Sequence, residues 1–121
     1  MTKTILAIDD SRTMRGLLDQ ALSLAGFKVA LAEDGEDGLE KLEQVAPDLV
    51  ITDINMPRLD GFGVIERIRA GGPYGSIPIL VLTTESGAEL KSRARAAGAT
   101  GWIVKPFDET KLISAIQRIV A

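Results

Sequence analysis

Five short apolar runs alternate along the chain with segments whose apolar residues recur at helical spacing. The runs are Thr4-Ile5-Leu6-Ala7-Ile8, Phe27-Lys28-Val29-Ala30-Leu31, Leu49-Val50-Ile51-Thr52, Ile79-Leu80-Val81-Leu82 and Trp102-Ile103-Val104. Their length and β-branched content predict strands. The first, third and fourth are nearly all apolar, as expected of strands covered by helices on both faces. The second alternates and carries Lys28, which suits an edge.

The intervening segments predict five helices. In the first, Met14, Leu17, Leu18, Ala21, Leu22 and Ala25 form one apolar stripe. Ser11 is placed to cap its start, and Gly26 suits a left-handed position past its end. A second helix spans about 35–45, with Leu39 and Leu42 inward, and Pro47 stops it. The third follows Asp60, with Val64, Ile65 and Ile68 inward, and breaks at Ala70-Gly71-Gly72-Pro73. The fourth covers about 87–97. The fifth, about 109–120, follows Asp108 as N-cap and places Leu112, Ile113, Ile116, Ile119 and Val120 at core spacing. Right-handed βαβ crossovers turn such a chain into an α/β fold: one (βα)5 doubly wound parallel five-stranded sheet. By analogy with flavodoxin-like sheets, the expected strand order is 2-1-3-4-5, which puts the second run at an edge.

Composition narrows the chemistry. At 121 residues the chain is long enough for one domain with one core, and a single domain over 1–121 without an output domain is expected. A net charge of −3 argues against a nucleic-acid surface. No apolar stretch has the length to span a bilayer, and the N-terminus lacks the order of a signal peptide. The absence of cysteine excludes disulfides and makes a cytoplasmic location the default. The absence of histidine excludes Ser-His triads and His-ligated zinc, so any phosphohistidine must belong to a partner.

Four of the runs end at their C-terminal side in reactive groups: Asp9-Asp10, Asp53, Thr83-Thr84 and Lys105-Pro106. Ligands of open α/β sheets bind outside these ends, at the point where the strand order reverses, so the five functional groups are expected in one pocket. Carboxylates within about 5 Å of one another repel by a few kcal/mol per pair at an effective dielectric near 20. Such a site must bind a cation or raise a pKa. An all-oxygen ligand set favours Mg²⁺, with Mn²⁺ as substitute. An aspartate can also serve as nucleophile towards a phosphoryl group whose oxygens Lys105 would neutralise and Thr83 would hydrogen-bond.

Asp9-Asp10, Asp53 within ITDINMPRLDG, Thr83-Thr84 and Lys105-Pro106-Phe107 together resemble the receiver domain of two-component response regulators. DDSRTMR, VLTTES and AGATGWIVKPFDETKL are similar to chemotaxis regulators of the CheY type. The resemblance covers the whole chain. It implies that Asp53 is the phosphoacceptor for a kinase phosphohistidine, and that the chain catalyses only its own phosphorylation and dephosphorylation. It implies a metal set of Asp10, Asp53 and the Asn55 backbone carbonyl, with Asp9 acting through water. Lys105 would precede a cis peptide, Asn55 and Glu85 would tune hydrolysis, and Thr83 and Trp102 would form the switch. The implied partners of this monomer are a chemotaxis histidine kinase (CheA-like), a flagellar motor switch protein (FliM-like) and a phosphatase. Trp102 stands where the chemotaxis archetype has tyrosine.

Each residue alone has a plainer reading. Asp9-Asp10 would suit the positive end of the first helix. Asp53 could be a loop acid, Thr83 a strand former, and Lys105 a surface lysine. In the fourth helix Leu90 is the only large apolar residue, so that helix is expected to be weakly anchored and able to move. Leu90, Lys91, Arg95, Trp102 and Lys111 are either a solvated face or a docking surface for an amphipathic, partly acidic segment. Other classes fit less well. A haloacid-dehalogenase-like phosphatase carries its nucleophile after the first strand, and a flavin or nucleotide binder needs a phosphate cradle where Asp9-Asp10 stand. A phosphate sink, or a single-domain regulator outside chemotaxis, carries the same site.

Overall fold

The computed structural model describes residues 2–120. Its elements run β1 (Thr4–Ile8), α1 (Arg12–Leu24), β2 (Lys28–Ala32), α2 (Gly35–Val45), β3 (Leu49–Thr52), α3 (Gly61–Arg69), β4 (Ile79–Thr83), α4 (Ala88–Ala97), β5 (Gly101–Val104) and α5 (Glu109–Val120). The strands form one parallel sheet in the order β2-β1-β3-β4-β5. The expected fold class and order are therefore observed, with β2 at an edge. Residues 1 and 121 of the expected domain lie outside the described residues.

Side-chain alternation along the strands makes two cores. Leu6, Ile8, Val50 and Val81 point to the face covered by Leu42 of α2, by Phe62, Ile65 and Ile68 of α3, and by Ala94 of α4. Ile5, Ala7, Leu49, Ile51, Leu80 and Leu82 point to the other, covered by Leu18 and Leu22 of α1 and Leu112 and Ile116 of α5. β1, β3 and β4 bury nearly every residue, which is why their sequences hardly alternate. Among the described residues no helix is long and apolar enough to cross a membrane.

Local chemistry sets the ends of the helices. The Ser11 hydroxyl accepts the Met14 N–H at 3.2 Å and starts α1. Gly26 follows it at φ 95°. Asp34, Asp60 and Asp108 accept from Asp37, Gly63 and Lys111 in the same way. Gly87 gives α4 no side-chain cap.

Three expectations shift. β2 begins one residue later than its apolar run, because Phe27 still closes the turn after α1 through its N–H to the Leu22 carbonyl at 3.1 Å. Leu17 does not join the buried stripe of α1 and is 48% exposed, since a helix lying on a flat sheet covers a narrow arc and Leu18, Ala21 and Leu22 fill it. The tightest anchor of α4 is the buried Ala94 rather than Leu90, which is half-buried. A small residue there lets the helix backbone approach the core.

Candidate functional site

The sheet itself delivers the charged groups. Asp9, Asp53 and Lys105 each stand one residue past β1, β3 and β5, and their amides prolong the ladder. Asp9 N–H donates to the Ala32 carbonyl at 3.0 Å, Asp53 N–H to Ile8 at 3.0 Å, and Lys105 N–H to Thr83 at 2.8 Å. The three side chains project together above the end of the sheet. Lys105 Nζ lies 2.7 Å from Asp9 Oδ2 and 2.9 Å from Asp53 Oδ2, all three groups being almost fully buried.

The other oxygens of the two acids are also committed. Asp9 Oδ1 accepts the Ser11 N–H at 2.9 Å, and Asp53 Oδ1 accepts the Ile54 N–H at 2.7 Å. Asp10 reaches the same place from the solvent side. One carboxylate oxygen from each of Asp9, Asp10 and Asp53 lies within 4.8 Å of the others. Three acids facing one ammonium leave an excess of negative charge, which fits a divalent cation.

The electrostatics follow from crowding and burial. Burial pushes the Asp9 carboxyl above the usual carboxylate range, against the opposing pull of the Lys105 hydrogen bond and the Ser11 N–H; the Asp53 charge adds to the rise. Burial alone would lower the Lys105 pKa. Its hydrogen bonds to Asp9 and Asp53 outweigh that, so the ammonium is held charged above its ordinary value.

The remaining candidates surround this core. Thr83 ends β4 and is fully buried; its hydroxyl accepts the Glu85 N–H at 3.4 Å and makes no bond to the acids. Asn55 Nδ2 donates to Glu85 Oε1 at 3.0 Å, so the two residues expected to tune hydrolysis meet across the mouth of the site. Trp102 Nε1 donates to the Glu85 carbonyl at 3.0 Å. The Lys105–Pro106 peptide is cis. Lys91, Arg95 and Trp102 line a cleft of ≈ 300 Å³ between α4 and β5. Leu90 instead packs against the core beneath α4, and Lys111 starts α5 outside the cleft.

Some contributors carried no sequence signal. Arg15 Nη1 donates to the Asp9 backbone carbonyl at 2.7 Å, one turn into α1. Thr52 Oγ1 donates to the Asp53 carbonyl at 2.9 Å. Gly61 passes so close to that same carbonyl that a Cβ would land on it. The glycine of the Asp60-Gly61 turn was legible as a turn residue, but not as a spacer beside Asp53.

Comparison with known proteins agrees with this geometry. The response regulator receiver domain family matches residues 5–117. Response regulator MprA of Mycobacterium leprae is 38% identical over 116 residues, covering 96% of this chain and 50% of that protein. The probable transcriptional regulator ycf27 of Guillardia theta is similarly matched over 44% of its length, so the chain spans about half the length of these relatives. Protein PilG of Pseudomonas aeruginosa is 34% identical over 93% of this chain and 84% of its own. Among solved structures, the chemotaxis protein CheY4 of Vibrio cholerae superposes with a TM-score of 0.93 at 39% identity, covering 98% of this chain and 99% of that one. A sheet whose strand ends present these acids and this lysine, matched over most of its length by that family, leaves one conclusion: the chain belongs to the response regulator receiver domains.

Proposed function

We propose that this chain is a phosphoacceptor switch of the chemotaxis type, in which Asp53 takes a phosphoryl group from a histidine kinase. The observation that carries this reading is the convergence of Lys105 Nζ on Asp53 Oδ2 at 2.9 Å beside two further acids. An Asp53 oxygen attacks phosphorus while the P–N bond of the partner's phosphohistidine breaks. The imidazole leaves with the bonding pair and retains or takes up a proton from solvent. Lys105, already aimed at Asp53, exchanges its bond to that carboxylate for the incoming phosphoryl oxygens. Asp9, Asp10, Asp53 and the Asn55 carbonyl would hold Mg²⁺, or Mn²⁺ in its place, which supplies charge neutralisation at the phosphoryl oxygens. Asn55 and Glu85, bridging the mouth, govern access of hydrolytic water.

Phosphorylation exchanges the single negative charge of the Asp53 carboxylate for a phosphoryl group carrying about −1.5 to −2, a net gain of up to about one negative charge. The Thr83 hydroxyl turns towards it, Trp102 follows into the space released, and the face of α4, β5 and α5 changes its populated arrangement. The cleft bearing Lys91, Arg95 and Trp102, with Leu90 beneath α4 and Lys111 on α5, then docks an amphipathic, partly acidic segment of a flagellar motor switch protein. The 39% identity to the chemotaxis protein CheY4 favours this output, and a cytoplasmic site of action is part of the same proposal. The half-length coverage of MprA favours a second reading, a receiver serving regulation outside chemotaxis.

The test is radiolabel transfer from a phosphorylated chemotaxis kinase, followed by capture of the motor switch protein with and without phosphate. Mg²⁺-dependent label on the parent but not on Asp53→Asn, with phosphate-enhanced capture, is expected. Label surviving on Asp53→Asn would reject Asp53 as acceptor. Label without enhanced capture would favour the second reading or a phosphate sink.

A further inference from the structure

The loop between Asp53 and α3 places a non-glycine residue in a left-handed backbone conformation. Arg58 sits at φ 68°, a left-handed geometry that is costly for a side chain with a Cβ. The other such residue among the described positions, Ala46 at φ 47°, closes the C-terminus of α2, where left-handed residues belong. Arg58 closes no helix. It is the central residue of a tight three-residue turn in which Leu59 N–H donates to the Pro57 carbonyl at 2.8 Å, and from that turn its Nη2 reaches to 2.7 Å from Asp34 Oδ2.

Asp34 is built to receive it. Its side chain is 4% exposed, while that of Arg58 is 63% exposed, so a buried carboxylate is lidded by a surface guanidinium. Asp34 divides its oxygens. Oδ1 accepts the Asp37 N–H at 2.8 Å and caps α2, leaving Oδ2 for the loop. Beside it, the Leu59 carbonyl lies so close to Gly35 that no Cβ would fit. The first turn of α2 is thus a platform on which residues 58 and 59 rest.

Besides the turn at Arg58, the loop is tied at three places. Gly61 N–H donates to the Ile54 carbonyl at 2.9 Å and closes its base. Asn55 Nδ2 reaches Glu85 on one side, and Arg58 reaches Asp34 on the other. Met56 and Leu59 pack against the core, but apolar contact is non-directional and does not set the rotation of the backbone. Asn55 is the one expected metal ligand that lies within this loop, whereas Asp9 and Asp53 are held in the ladder.

The geometry points to the Arg58–Asp34 pair as the fastening that positions the Asn55 carbonyl for the cation, which makes Arg58 and Asp34 positioning residues for the phosphoacceptor site. This rests on the metal reading given above. Partners that orient metal ligands from outside the coordination shell commonly change affinity by about 10- to 100-fold, and a tie three residues removed belongs at the lower end.

The experiment is Mn²⁺ titration of the whole chain by electron paramagnetic resonance, paired with metal-free thermal unfolding. Arg58→Ala and Asp34→Asn should each weaken Mn²⁺ binding by about tenfold, and the double variant no further. Arg58→Lys should recover most of the affinity. Asn caps a helix as well as Asp, so the metal-free unfolding midpoint of Asp34→Asn should stay near that of the parent. Simple charge effects would act in opposite directions, since one variant removes a positive and the other a negative charge; positioning requires both to weaken binding. Affinities that match the parent, that move in opposite directions, or that fall only alongside the unfolding midpoint would overturn the inference. A parent chain that binds no Mn²⁺ would instead reject the metal reading itself.

Discussion

Trp102 Nε1 donates to the backbone carbonyl of Glu85 at 3.0 Å, and the Glu85 carboxylate in turn accepts from Asn55 at the mouth of the acidic site. The indole on the α4–β5 face is therefore two hydrogen-bonded contacts from the residue beside the proposed acceptor. A tyrosine there would offer a phenolic hydroxyl. The tryptophan uses its N–H on a backbone carbonyl, and any inward swing must first break that bond.

Trp102 is the sole tryptophan, so the swing can be read directly. Beryllofluoride with Mg²⁺ should move its emission to shorter wavelength as the ring leaves solvent. Thr83→Ala should abolish the movement while leaving acyl-phosphate labelling intact. A spectrum indifferent to beryllofluoride would remove Trp102 from the switch.

In the proposed mechanism Lys105 opposes the cation electrostatically while pairing with the phosphoryl group. Removing a positive charge from a nearly buried site raises its affinity for a divalent ion by at least about tenfold. Lys105→Met should therefore tighten Mg²⁺ binding, measured by calorimetry, while phosphoryl transfer falls. Weaker Mg²⁺ binding would show that the lysine holds the acids in place rather than competing for them.

Gly61→Ala and Gly16→Ala should have opposite signs. A Cβ at Gly61 meets the Asp53 carbonyl and comes 2.8 Å from Ile54 Cα, so overpacking of about 1–3 kcal/mol and slower labelling are expected. A Cβ at Gly16, within α1, meets nothing within 4 Å and should stabilise by roughly 0.5–1 kcal/mol. Denaturant unfolding of both variants is the check.

Asp37 gives stability an acid limb separate from the site. Burial tends to raise its carboxyl, but the Glu33 N–H at 3.1 Å and Lys41 Nζ at 3.2 Å outweigh this and hold it below its ordinary value. A lowered folded-state pKa stabilises above the unfolded value and is lost as pH falls through the folded one. Asp37→Asn should be less stable than the parent at neutral pH, with the difference closing below about pH 4 in urea unfolding. A gap independent of pH would assign the effect to packing.

The elements were legible because burial on both faces writes itself into β1, β3 and β4 as unbroken apolar runs, and because Ser11, Asp60, Asp108 and Gly26 are local signals. The gathering of Asp9, Asp10, Asp53 and Lys105 followed from one topological rule applied to strand ends. Less legible were relationships that depend on contact between distant segments. Arg58 and Asp34 look like solvated charges in any window of sequence, and Leu17 is indistinguishable from Leu18 until the sheet decides which arc of α1 is covered. Ala94 outranks Leu90 because closeness of approach, not size, decides what is buried under α4.

The amides of Asp9, Asp53 and Lys105 are bonded as continuations of the strands rather than as parts of loops. Asp53, Asp9 and Lys105 are consequently fixed by the sheet itself rather than by a surface segment. Their amide protons should exchange with solvent on the slow timescale of the deepest β-residues, even before any phosphate arrives. For the proposed switch, readiness would then be built into the fold, and timing left to whatever delivers the phosphoryl group.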